Sequence, residues 1–477
     1  MIGRREEIEK LNELYNSNNA EFVAIYGRRR VGKTFLVDET FAGKITFRHA
    51  GLSPTTDING SVLQEQLNSF YNSLIMQGME ESKKPSNWLD AFLLLEKHLH
   101  KIDTGKKQLV FIDELPWLDT PRSDFIRAFE NFWNNWGCHR KNLMVVVCGS
   151  ANSWIQDKLI NNVGGLYNRL TYQIKLEPFT LKECEEFLQS KGFKYSRYSI
   201  VESYMVFGGI PYYLNYLERN KSVAQNVDNI FFAKNAKLKN EFDRLFDSLF
   251  VGAEGVKSIV RLLYKRNSGF TRKEIIKNLQ ITDGGKISRD LNALITSDFI
   301  MKYVPFGLSK KEEHYKLIDP FCLFYLHFVE GQNSLLGKHW EQLNNTQPVI
   351  AWRGFSFENV CFNHINQIKR SLGISGVITS TSAWSKKKDD EEGTQIDLLI
   401  IRNDNVINMC ECKFYSDVFT VDELYFRKVS RRAEMLLEKS SPKTAVYSTL
   451  ITTFGLKQNE YSDAFISVIT LDDLFAS

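Results

Sequence analysis

The stretch "EFVAIYGRRRVGKTFL", residues 21–36, decides the fold of the first part of this chain. An apolar run leads into a turn with two glycines, and a helical pattern follows. Gly27 to Thr34 match G-x-x-x-x-G-K-T at every specified position. The glycines allow the backbone to curl so that its N–H groups face phosphates, and the next helix directs its positive end toward them. The stretch therefore predicts a nucleotide phosphate site between a buried strand and a helix.

The predicted phosphate site includes the whole loop and the first helical residues. Lys33 is expected to neutralise the β and γ phosphates, and Thr34 to offer its hydroxyl to Mg²⁺. We therefore predict ATP and Mg²⁺ as cofactors. The residues predicted to contact nucleotide in this loop are Gly27, Arg28, Arg29, Arg30, Val31, Gly32, Lys33 and Thr34.

Two acids in "LVFIDEL", residues 109–115, complete the predicted site. Asp113 ends an apolar strand, so its carboxylate is expected at the sheet edge beside the phosphate loop, where it would hold Mg²⁺. Glu114 follows and is the candidate to polarise the attacking water. The alternative is an exposed strand end that happens to carry two acids.

Further polar residues follow a third apolar strand, "LMVVVCG". Ser150 and Asn152 come at its end, where a polar side chain can sense the γ-phosphate or position the water; a plain strand end is the alternative. Arg169 is a candidate γ-phosphate arginine, acting in cis or from a neighbouring subunit, and could equally be a surface residue. The chain is thus a possible homo-oligomer or the partner of another protein.

The composition is that of an ordinary soluble protein. The chain has 477 residues, 43% hydrophobic and 25% charged, with a net charge of +4, so any nucleic-acid binding must rest on local basic patches. No apolar run approaches the about 18 residues of a membrane span, and the charged N-terminus does not look like a signal peptide. Seven scattered cysteines favour reduced thiols. We expect a cytoplasmic protein without membrane segments.

Several motifs together resemble the archaeal-type ATPases, which are similar to the signal-transduction NTPases of the AAA+ group. They are "IYGRRRVGKTFL", "LVFIDELPWL", "VCGS" and "GGIPYYL". The alternation of strands and helices favours an α/β fold with a parallel sheet, and the resemblance implies a P-loop ATPase core at 1–175 and a helical lid at 176–250. It also places Pro211 near the nucleotide, where many AAA+ proteins have a lid arginine. This difference suggests a switch that holds nucleotide tightly more than a processive motor.

Residues 251–320 read as three helices and two strands, the layout of a winged helix. In the third helix, "GGKISRDLNALITSDFI", apolar residues recur on one face. Lys286, Arg289 and Asn292 then face outward, which suits phosphates and base edges of DNA. Winged helices also mediate protein contacts, and nearby acids dilute the positive charge. A helical linker is expected at 321–349.

The C-terminal stretch "GTQIDLLIIRNDNVINMCECKFYSD", residues 393–417, is either an ordinary hairpin or part of a nuclease site. Glu411 and Lys413 are two apart on a predicted strand, so both project from one face. A turn near Asn403–Asn405 would bring Asp397 to the same end of the sheet. A metal-dependent nuclease needs carboxylates around Mg²⁺ and a cation near the scissile phosphate.

With Glu358 on a preceding helix, the pattern resembles the PD-(D/E)XK nuclease-like superfamily, although Ile396 replaces the proline of the motif. The resemblance implies an α/β restriction-endonuclease-like domain at 350–477. It implies Asp397 and Glu411 as metal ligands, Glu358 as a supporting acid, and Lys413 as the residue that stabilises the attacking water or transition state. A charged block at 386–393 is expected to be a solvated loop.

An arginine-rich helix follows this hairpin, with basic residues Arg427, Lys428, Arg431 and Arg432. Arg431 is placed to contact a phosphate backbone, with a solvated helix face as the alternative. The leading hypothesis is an ATPase whose nucleotide state controls a DNA-binding, Mg²⁺-dependent nuclease-like half. The alternative is an ATP-dependent switch whose winged helix and inactive nuclease fold only bind DNA or protein partners.

Overall fold

The computed structural model describes residues 2–53, 62–161, 164–250, 252–331, 339–386 and 394–476, with the backbone alone at 339, 385, 386, 394, 395 and 397. The chain divides into two compact units. The first comprises Met1–Glu177 with Asp247–Val251, and the second comprises Pro178–Phe246 with Gly252–Ser477. Within the described ranges, no helix combines the length and apolar character needed to cross a membrane.

The first unit is built on a five-stranded parallel sheet. Its strands are β1 (Glu21–Tyr26), β2 (Ile45–Ala50), β3 (Gln108–Asp113), β4 (Leu143–Gly149) and β5 (Tyr172–Lys175). The spatial order is β2-β3-β4-β1-β5, and each neighbouring pair is parallel. Every residue of β1, β3 and β4 is buried, as expected when helices cover both faces. The predicted parallel sheet is confirmed, and β2 and β5 extend it.

Helices of the first unit pack an aromatic core against the sheet. They are α1 (Arg5–Tyr15), α2 (Lys33–Thr40), α3 (Val62–Met76), α4 (Trp88–Lys101), α5 (Phe125–Asn135) and α6 (Asn152–Ile155). Between α4 and α5, the Phe92 and Phe132 rings stack at 5.2 Å and the Trp88 and Phe125 rings lie 5.0 Å apart. This apolar layer holds the sheet in place and leaves the ends of β1, β3 and β4 to carry polar side chains.

The stretch after β5, from about residue 178 to residue 250, contains the helices that its pattern predicted. Its helices are α7 (Leu181–Ser190), α8 (Arg197–Phe207), α9 (Pro211–Leu214), α10 (Val223–Val227) and α11 (Glu241–Leu249). The Thr180 side chain caps α7 in a reciprocal pair with Glu183. Pro211 is the first residue of α9, a position that proline favours because its missing N–H needs no partner there.

A module of three helices and a small sheet comes next, and we call it the three-helix module. It contains α12 (Glu254–Tyr264), α13 (Arg272–Leu279) and α14 (Gly285–Thr296), with strands β6 (Phe270–Thr271), β7 (Ile300–Tyr303) and β8 (His314–Leu317). The strand order is β6-β8-β7, and both pairs are antiparallel. In α14, Ile287, Leu291 and Leu294 are buried, so the helix packs inward through the face that its periodicity indicated.

The last part of the second unit is a mixed sheet with helices. The helices are α15 (Pro320–Phe324), α16 (His339–Leu343), α17 (Gln347–Asn363), α18 (Ile365–Ser371), α19 (Glu423–Glu438) and α20 (Leu471–Leu474), and the strands are β9 (Thr379–Lys386), β10 (Thr394–Arg402), β11 (Val406–Lys413), β12 (Ala445–Thr452) and β13 (Ser467–Ile469). We call β9–β13 the C-terminal sheet. Its order is β13-β12-β11-β10-β9; the pairs from β9 to β11 are antiparallel and those from β11 to β13 are parallel. The predicted hairpin turn lies between Arg402 and Val406. Of the charged block at 386–393, residues 387–393 lie outside the part of the chain that the structure describes.

The three-helix module contacts the edge strand β9 of the C-terminal sheet. The Phe306 N–H donates to the Ala383 carbonyl at 3.2 Å, and the Ser382 hydroxyl donates to the Val304 carbonyl at 2.8 Å. Because an uncovered sheet edge presents unpaired backbone groups, the segment after β7 both covers this edge and fixes the module beside the sheet.

Candidate functional site

The loop between β1 and α2 has the backbone shape that its glycines predicted. Gly27 has a φ of 147° and Gly32 a φ of 96°. A Cβ added at Gly27 would lie 2.2 Å from the Leu176 carbonyl oxygen, so no larger residue fits there. Arg30 also has a positive φ, 73°. The loop therefore curls tightly before α2 begins at Lys33.

The Lys33 side chain lies inside this curl. Its Nζ donates to the carbonyls of Gly27 and Arg28 at 3.0 and 3.1 Å, and lies 3.2 Å from the Ser150 hydroxyl. Burial lowers the pKa of Lys33, and the nearby Glu114 carboxylate opposes this shift. The ammonium is thus held at the centre of the loop by oxygen acceptors, and phosphate oxygens are chemically equivalent acceptors for it.

The two predicted Mg²⁺ ligands touch each other. The Thr34 hydroxyl donates to Asp113 Oδ2 at 2.7 Å, and the Glu114 N–H donates to Asp113 Oδ1 at 2.9 Å. Burial raises the pKa of Asp113, and the hydrogen bond from Thr34 opposes the shift. A divalent cation at this place would favour the ionised carboxylate, and hydroxyl and carboxylate oxygens suit Mg²⁺. The residues present therefore fit the ion.

The Glu114 carboxylate is oriented by Ser150. The Ser150 hydroxyl donates to Oε1 at 2.7 Å, and its N–H donates to Oε2 at 3.0 Å. Glu114 has a positive φ of 45°, which turns its side chain at the end of β3 toward the end of β4. The Ser150 hydroxyl, the predicted sensor, therefore contacts both Glu114, the predicted base, and Lys33, the lysine of the phosphate loop.

Asn152 supports the phosphate loop directly. Its side chain is fully buried, and its Oδ1 accepts the Gly27 N–H at 2.8 Å. Sequence reasoning expected Asn152 to face phosphate or water and did not predict this role. A polar residue just after a fully apolar strand was the signal, but only the fold brings it to the glycine 125 positions earlier.

The other predicted nucleotide residues have different surroundings. Val31 is buried, and Arg28 is only 1% exposed. The Arg29 guanidinium lies 5.9 Å from the Trp117 ring. Arg169 is exposed, between α6 and β5, and none of the described side-chain contacts joins it to the loop. Pro211 lies in the second unit, and its nucleotide contact remains a prediction.

A second group of charged residues lies on β11 of the C-terminal sheet. Glu411 is 1% exposed. Its Oε1 accepts a hydrogen bond from Arg432 Nη1, and its Oε2 accepts the Tyr425 hydroxyl at 2.9 Å. Lys413 Nζ lies 3.6 Å from the same Oε2 and 5.7 Å from the centre of the Tyr425 ring. Glu411 and Lys413 thus share one face of the strand, as predicted.

Helical spacing explains why Arg432 faces this group. Tyr425, Val429, Arg432 and Leu436 recur at intervals of four, three and four along α19, and the last three are buried. Arg431, the residue predicted to contact phosphate, directly precedes Arg432 and is exposed. Position and charge alone predict a phosphate contact for the basic residues of this helix; helical periodicity is the signal that distinguishes Arg432, which faces the sheet, from Arg431.

The backbone places Asp397 on the strand next to Glu411. In the antiparallel pairing of β10 with β11, Leu398 lies opposite Cys410. The pairing ends there, one residue short of Asp397 on β10 and of Glu411 on β11, and β10 is irregular against β9 between Ile396 and Leu399. The side chain of Asp397 lies outside the described residues, so its predicted metal role stays a prediction.

Glu358 on α17 lies beside the same group, and the three-helix module holds it. Its Oε2 accepts the Asn267 side-chain amide at 2.7 Å. Burial raises the pKa of Glu358, and Lys316, Asn267 and Lys413 oppose the shift. The acid lines a cleft of about 450 Å³ whose walls come from the module and from β9 and β10. Sequence reasoning did not predict Asn267.

The turn that carries Asn267 is closely packed. Gly269 has a φ of 70°, and a Cβ there would lie 2.2 Å from the Tyr315 carbonyl oxygen. The Tyr303 hydroxyl donates to the Ser268 carbonyl at 2.8 Å. The contact between Asn267 and Glu358 is therefore a feature of the packed turn.

Metal ligation at this second group rests partly on residues beyond those described. Among the described side chains, no three His, Cys, Asp or Glu residues gather closely enough to hold a metal ion. Glu358 and Glu411 supply hard carboxylate oxygens, the ligand type that Mg²⁺ prefers. Their chemistry fits the ion, but both oxygens of Glu411 already accept hydrogen bonds.

The outward face of α14 carries the residues predicted to contact DNA. Lys286, Arg289 and Asn292 are exposed. Lys286 Nζ lies 2.7 Å from the carboxylate of Asp290, one helical turn away. The positive charge of Lys286 is therefore partly compensated within the helix, and the contact of this face with DNA stays a prediction.

The first part of the chain is similar to known ATPase domains. Residues 1–217 match a family described as "ATPase domain predominantly from Archaea". An uncharacterized protein of Methanocaldococcus jannaschii is 25% identical over 422 residues, covering 85% of this chain and 84% of that protein. Among solved structures, the Walker-type ATPase of Pyrococcus abyssi is 18% identical with a TM-score of 0.44, covering 68% of this chain and 96% of that chain. The ORC2 protein of Aeropyrum pernix is 14% identical with a TM-score of 0.41, covering 68% and 93%. Residues 1–217 are thus similar to archaeal-type ATPase domains.

Proposed function

We propose that the first unit binds and hydrolyses ATP. The observation that carries this proposal is the set of contacts that joins Lys33, Ser150 and Glu114. Lys33 would exchange its carbonyl acceptors for β- and γ-phosphate oxygens, and Glu114 would accept a proton from the attacking water. The match of residues 1–217 to a family of ATPase domains supports the same activity.

Thr34 and Asp113 would hold the Mg²⁺ ion that accompanies ATP. The bound ion would neutralise charge on the β and γ phosphates. The hydrogen bond between the two residues, at 2.7 Å, keeps both oxygens at one point beside the loop. Thr34→Val, which keeps the shape and removes the hydroxyl, should weaken Mg²⁺-dependent ATP binding and leave Mg²⁺-independent binding nearly unchanged.

Arg169 would act on the γ-phosphate of a neighbouring copy. Its exposed position suits a role in trans better than one in cis, and an arginine there would stabilise charge in the transition state. Mixing two variants tests this: Arg169→Ala lacks the arginine and Lys33→Ala lacks the phosphate site. A mixture that hydrolyses ATP faster than either variant supports the role in trans, and a mixture as inactive as both contradicts it.

The second unit would act on DNA under control of the nucleotide. The three-helix module would act as a winged helix and would bind DNA through Lys286, Arg289 and Asn292. Asp397 and Glu411, with Glu358 in support, would hold Mg²⁺, which would polarise the scissile phosphate. Lys413 would stabilise the attacking water or the transition state, and Arg431 would contact the phosphate backbone. Pro211 would sense nucleotide from the helical segment, which suits a tightly held switch.

A non-cleaving role is the second candidate, and one observation favours it. The Glu411 carboxylate is already balanced by Arg432 and hydrogen-bonded by Tyr425. A buried carboxylate satisfied in this way does not need a metal. In this alternative the winged helix and the nuclease-like fold bind DNA or a protein partner, and ATP regulates that binding.

Cleavage assays separate the two candidates. Wild type, Asp397→Ala and Lys413→Ala are incubated with single- and double-stranded DNA and Mg²⁺ or Mn²⁺, in ATP, ADP or no nucleotide. The nuclease proposal predicts cutting by wild type, loss of cutting in both variants and a dependence on nucleotide. If wild type never cuts, or if the variants cut equally well, the nuclease proposal is wrong and DNA binding remains to be measured.

A further inference from the structure

Arg432 and Tyr425 hold the carboxylate that a metal would need. Both residues lie on α19, seven positions apart, and both reach Glu411 on β11. Glu411 is 1% exposed and Arg432 is 9% exposed. The pair is therefore an ion pair inside the protein, where the attraction between opposite charges is stronger than at the surface.

The contacts use both oxygens of Glu411. Arg432 Nη1 donates to Oε1, and the Tyr425 hydroxyl donates to Oε2 at 2.9 Å. Lys413 Nζ adds a second positive charge 3.6 Å from Oε2. A divalent cation approaching Glu411 would meet one guanidinium and one ammonium at short range, so its binding is opposed by charge repulsion as well as by occupied oxygens.

A DNA phosphate is a chemically suitable alternative partner for the Arg432 guanidinium. Guanidinium groups bind phosphate through paired hydrogen bonds with good geometry. The same helix carries the exposed cations Lys428 and Arg431, so a phosphate backbone lying along α19 would be attracted to the helix that carries Arg432. Movement of this one side chain from Glu411 to a phosphate would release Oε1 and remove the main repulsive charge.

We propose that Arg432 and a divalent cation compete for Glu411, and that a DNA phosphate displaces Arg432, so that metal binds this site only together with DNA. The proposal rests on the proposed nuclease function. The proposal adds the order of binding to that function: DNA binds first and the metal second. Coupling between the two ligands is reciprocal, so the metal should tighten DNA binding by the same factor.

Manganese binding measures this competition without reference to cleavage. Free Mn²⁺ is followed by electron paramagnetic resonance in titrations of the full chain, without nucleotide, with and without a phosphorothioate duplex or single strand. Subtracting the same titration of Glu411→Gln isolates the metal that depends on Glu411. The proposal predicts that DNA raises this affinity at least tenfold.

Two variants and a matched control assign the effect to Arg432. Arg432→Gln should raise the DNA-independent Mn²⁺ affinity at least tenfold. Tyr425→Phe removes only the hydrogen bond to Oε2 and should raise it several-fold, which keeps the test valid if Arg432→Gln does not fold. Arg431→Gln, the exposed neighbour, should weaken DNA binding and leave the DNA-independent Mn²⁺ affinity unchanged.

The outcomes distinguish this inference from the function on which it rests. Mn²⁺ binding that depends on Glu411 but is equal with and without DNA, and unchanged in Tyr425→Phe and Arg432→Gln, overturns the competition and leaves the nuclease proposal intact. If Arg432→Gln binds Mn²⁺ without DNA but wild type binds none even with DNA, the displacement of Arg432 by phosphate is overturned. No Mn²⁺ binding that depends on Glu411 in any sample overturns both.

Discussion

Glu114 and Ser150 are joined by two hydrogen bonds, of 2.7 and 3.0 Å. The serine donates both its hydroxyl and its backbone N–H to one carboxylate, and the hydroxyl also lies 3.2 Å from Lys33 Nζ. A single residue at the end of β4 therefore connects the proposed base to the lysine of the phosphate loop. Because the carboxylate is held at both oxygens, its orientation is set by Ser150.

Replacing Ser150 by alanine should slow ATP hydrolysis. The backbone N–H would still hold Oε2, but Oε1 would lose its donor and the base would lose part of its orientation, which we expect to reduce kcat about tenfold. ATP affinity should change little, because the loop carbonyls still position Lys33. Steady-state kinetics test this, with Ser153→Ala on α6 as the control. A kcat at or above that of wild type would mean that Ser150 restrains Glu114 and does not orient it productively.

Asn152→Ala should weaken nucleotide binding because Asn152 supports the backbone of the phosphate loop at Gly27. The change leaves the Gly27 N–H without its buried acceptor, which costs about 1–3 kcal/mol, and it loosens the glycine that begins the phosphate loop. We expect lower thermal stability and lower ATP affinity together. Asn161→Ala removes an exposed amide and serves as the control. Unchanged affinity in Asn152→Ala would exclude the supporting role.

Acid should destabilise the protein through His364. This side chain is fully buried; its Nδ1 lies 2.8 Å from the Val360 carbonyl, and its Nε2 accepts the Leu181 N–H at 3.0 Å. Burial lowers the pKa of His364 to about 4 from its ordinary 6.5. The unfolded chain therefore takes up a proton before the folded chain does. The contribution of the neutral His364 side chain to the free energy of unfolding should be fully present above pH 6.5. It should fall as the pH decreases from 6.5 to 4, by up to about 3 kcal/mol.

Denaturant unfolding of the second unit between pH 7.5 and 4 measures this loss. His364→Gln should be less stable at neutral pH but show a flatter pH dependence across this window. His100→Gln, at an exposed position, should keep the wild-type slope. An unchanged slope in His364→Gln would show that other groups cause the acid sensitivity.

The parallel sheet was predictable because its strands are locally distinctive. β1, β3 and β4 are runs of apolar residues buried along their whole length, and such runs with turn signals indicate strands under helices on both faces. β2, "ITFRHA", is only partly buried, and its polar residues interrupt the apolar run that would indicate a strand. β5 has one buried residue in four and leaves little periodic signal.

Contacts across the fold explain what the sequence could not predict. The motif spacing was enough to place Lys33, Thr34, Asp113 and Glu114 at one site. Asn152 and Gly27 are 125 positions apart, and Asn267 and Glu358 are 91 apart, so no local pattern connects them. Arg432 was recognised only as one of several basic residues on a helix. Its burial depends on which face of α19 meets the sheet, which requires the tertiary structure.

Separate measurements of ATP binding and turnover test most directly whether Glu114 activates the water that hydrolyses ATP bound at Lys33. ATP affinity and phosphate release are measured for wild type, Lys33→Ala and Glu114→Gln. Lys33→Ala should lose both binding and turnover. Glu114→Gln should bind ATP nearly as well as wild type and hydrolyse it at least about 100-fold more slowly, because the amide cannot accept the proton. Hydrolysis by Glu114→Gln at the wild-type rate would show that Glu114 is not the base.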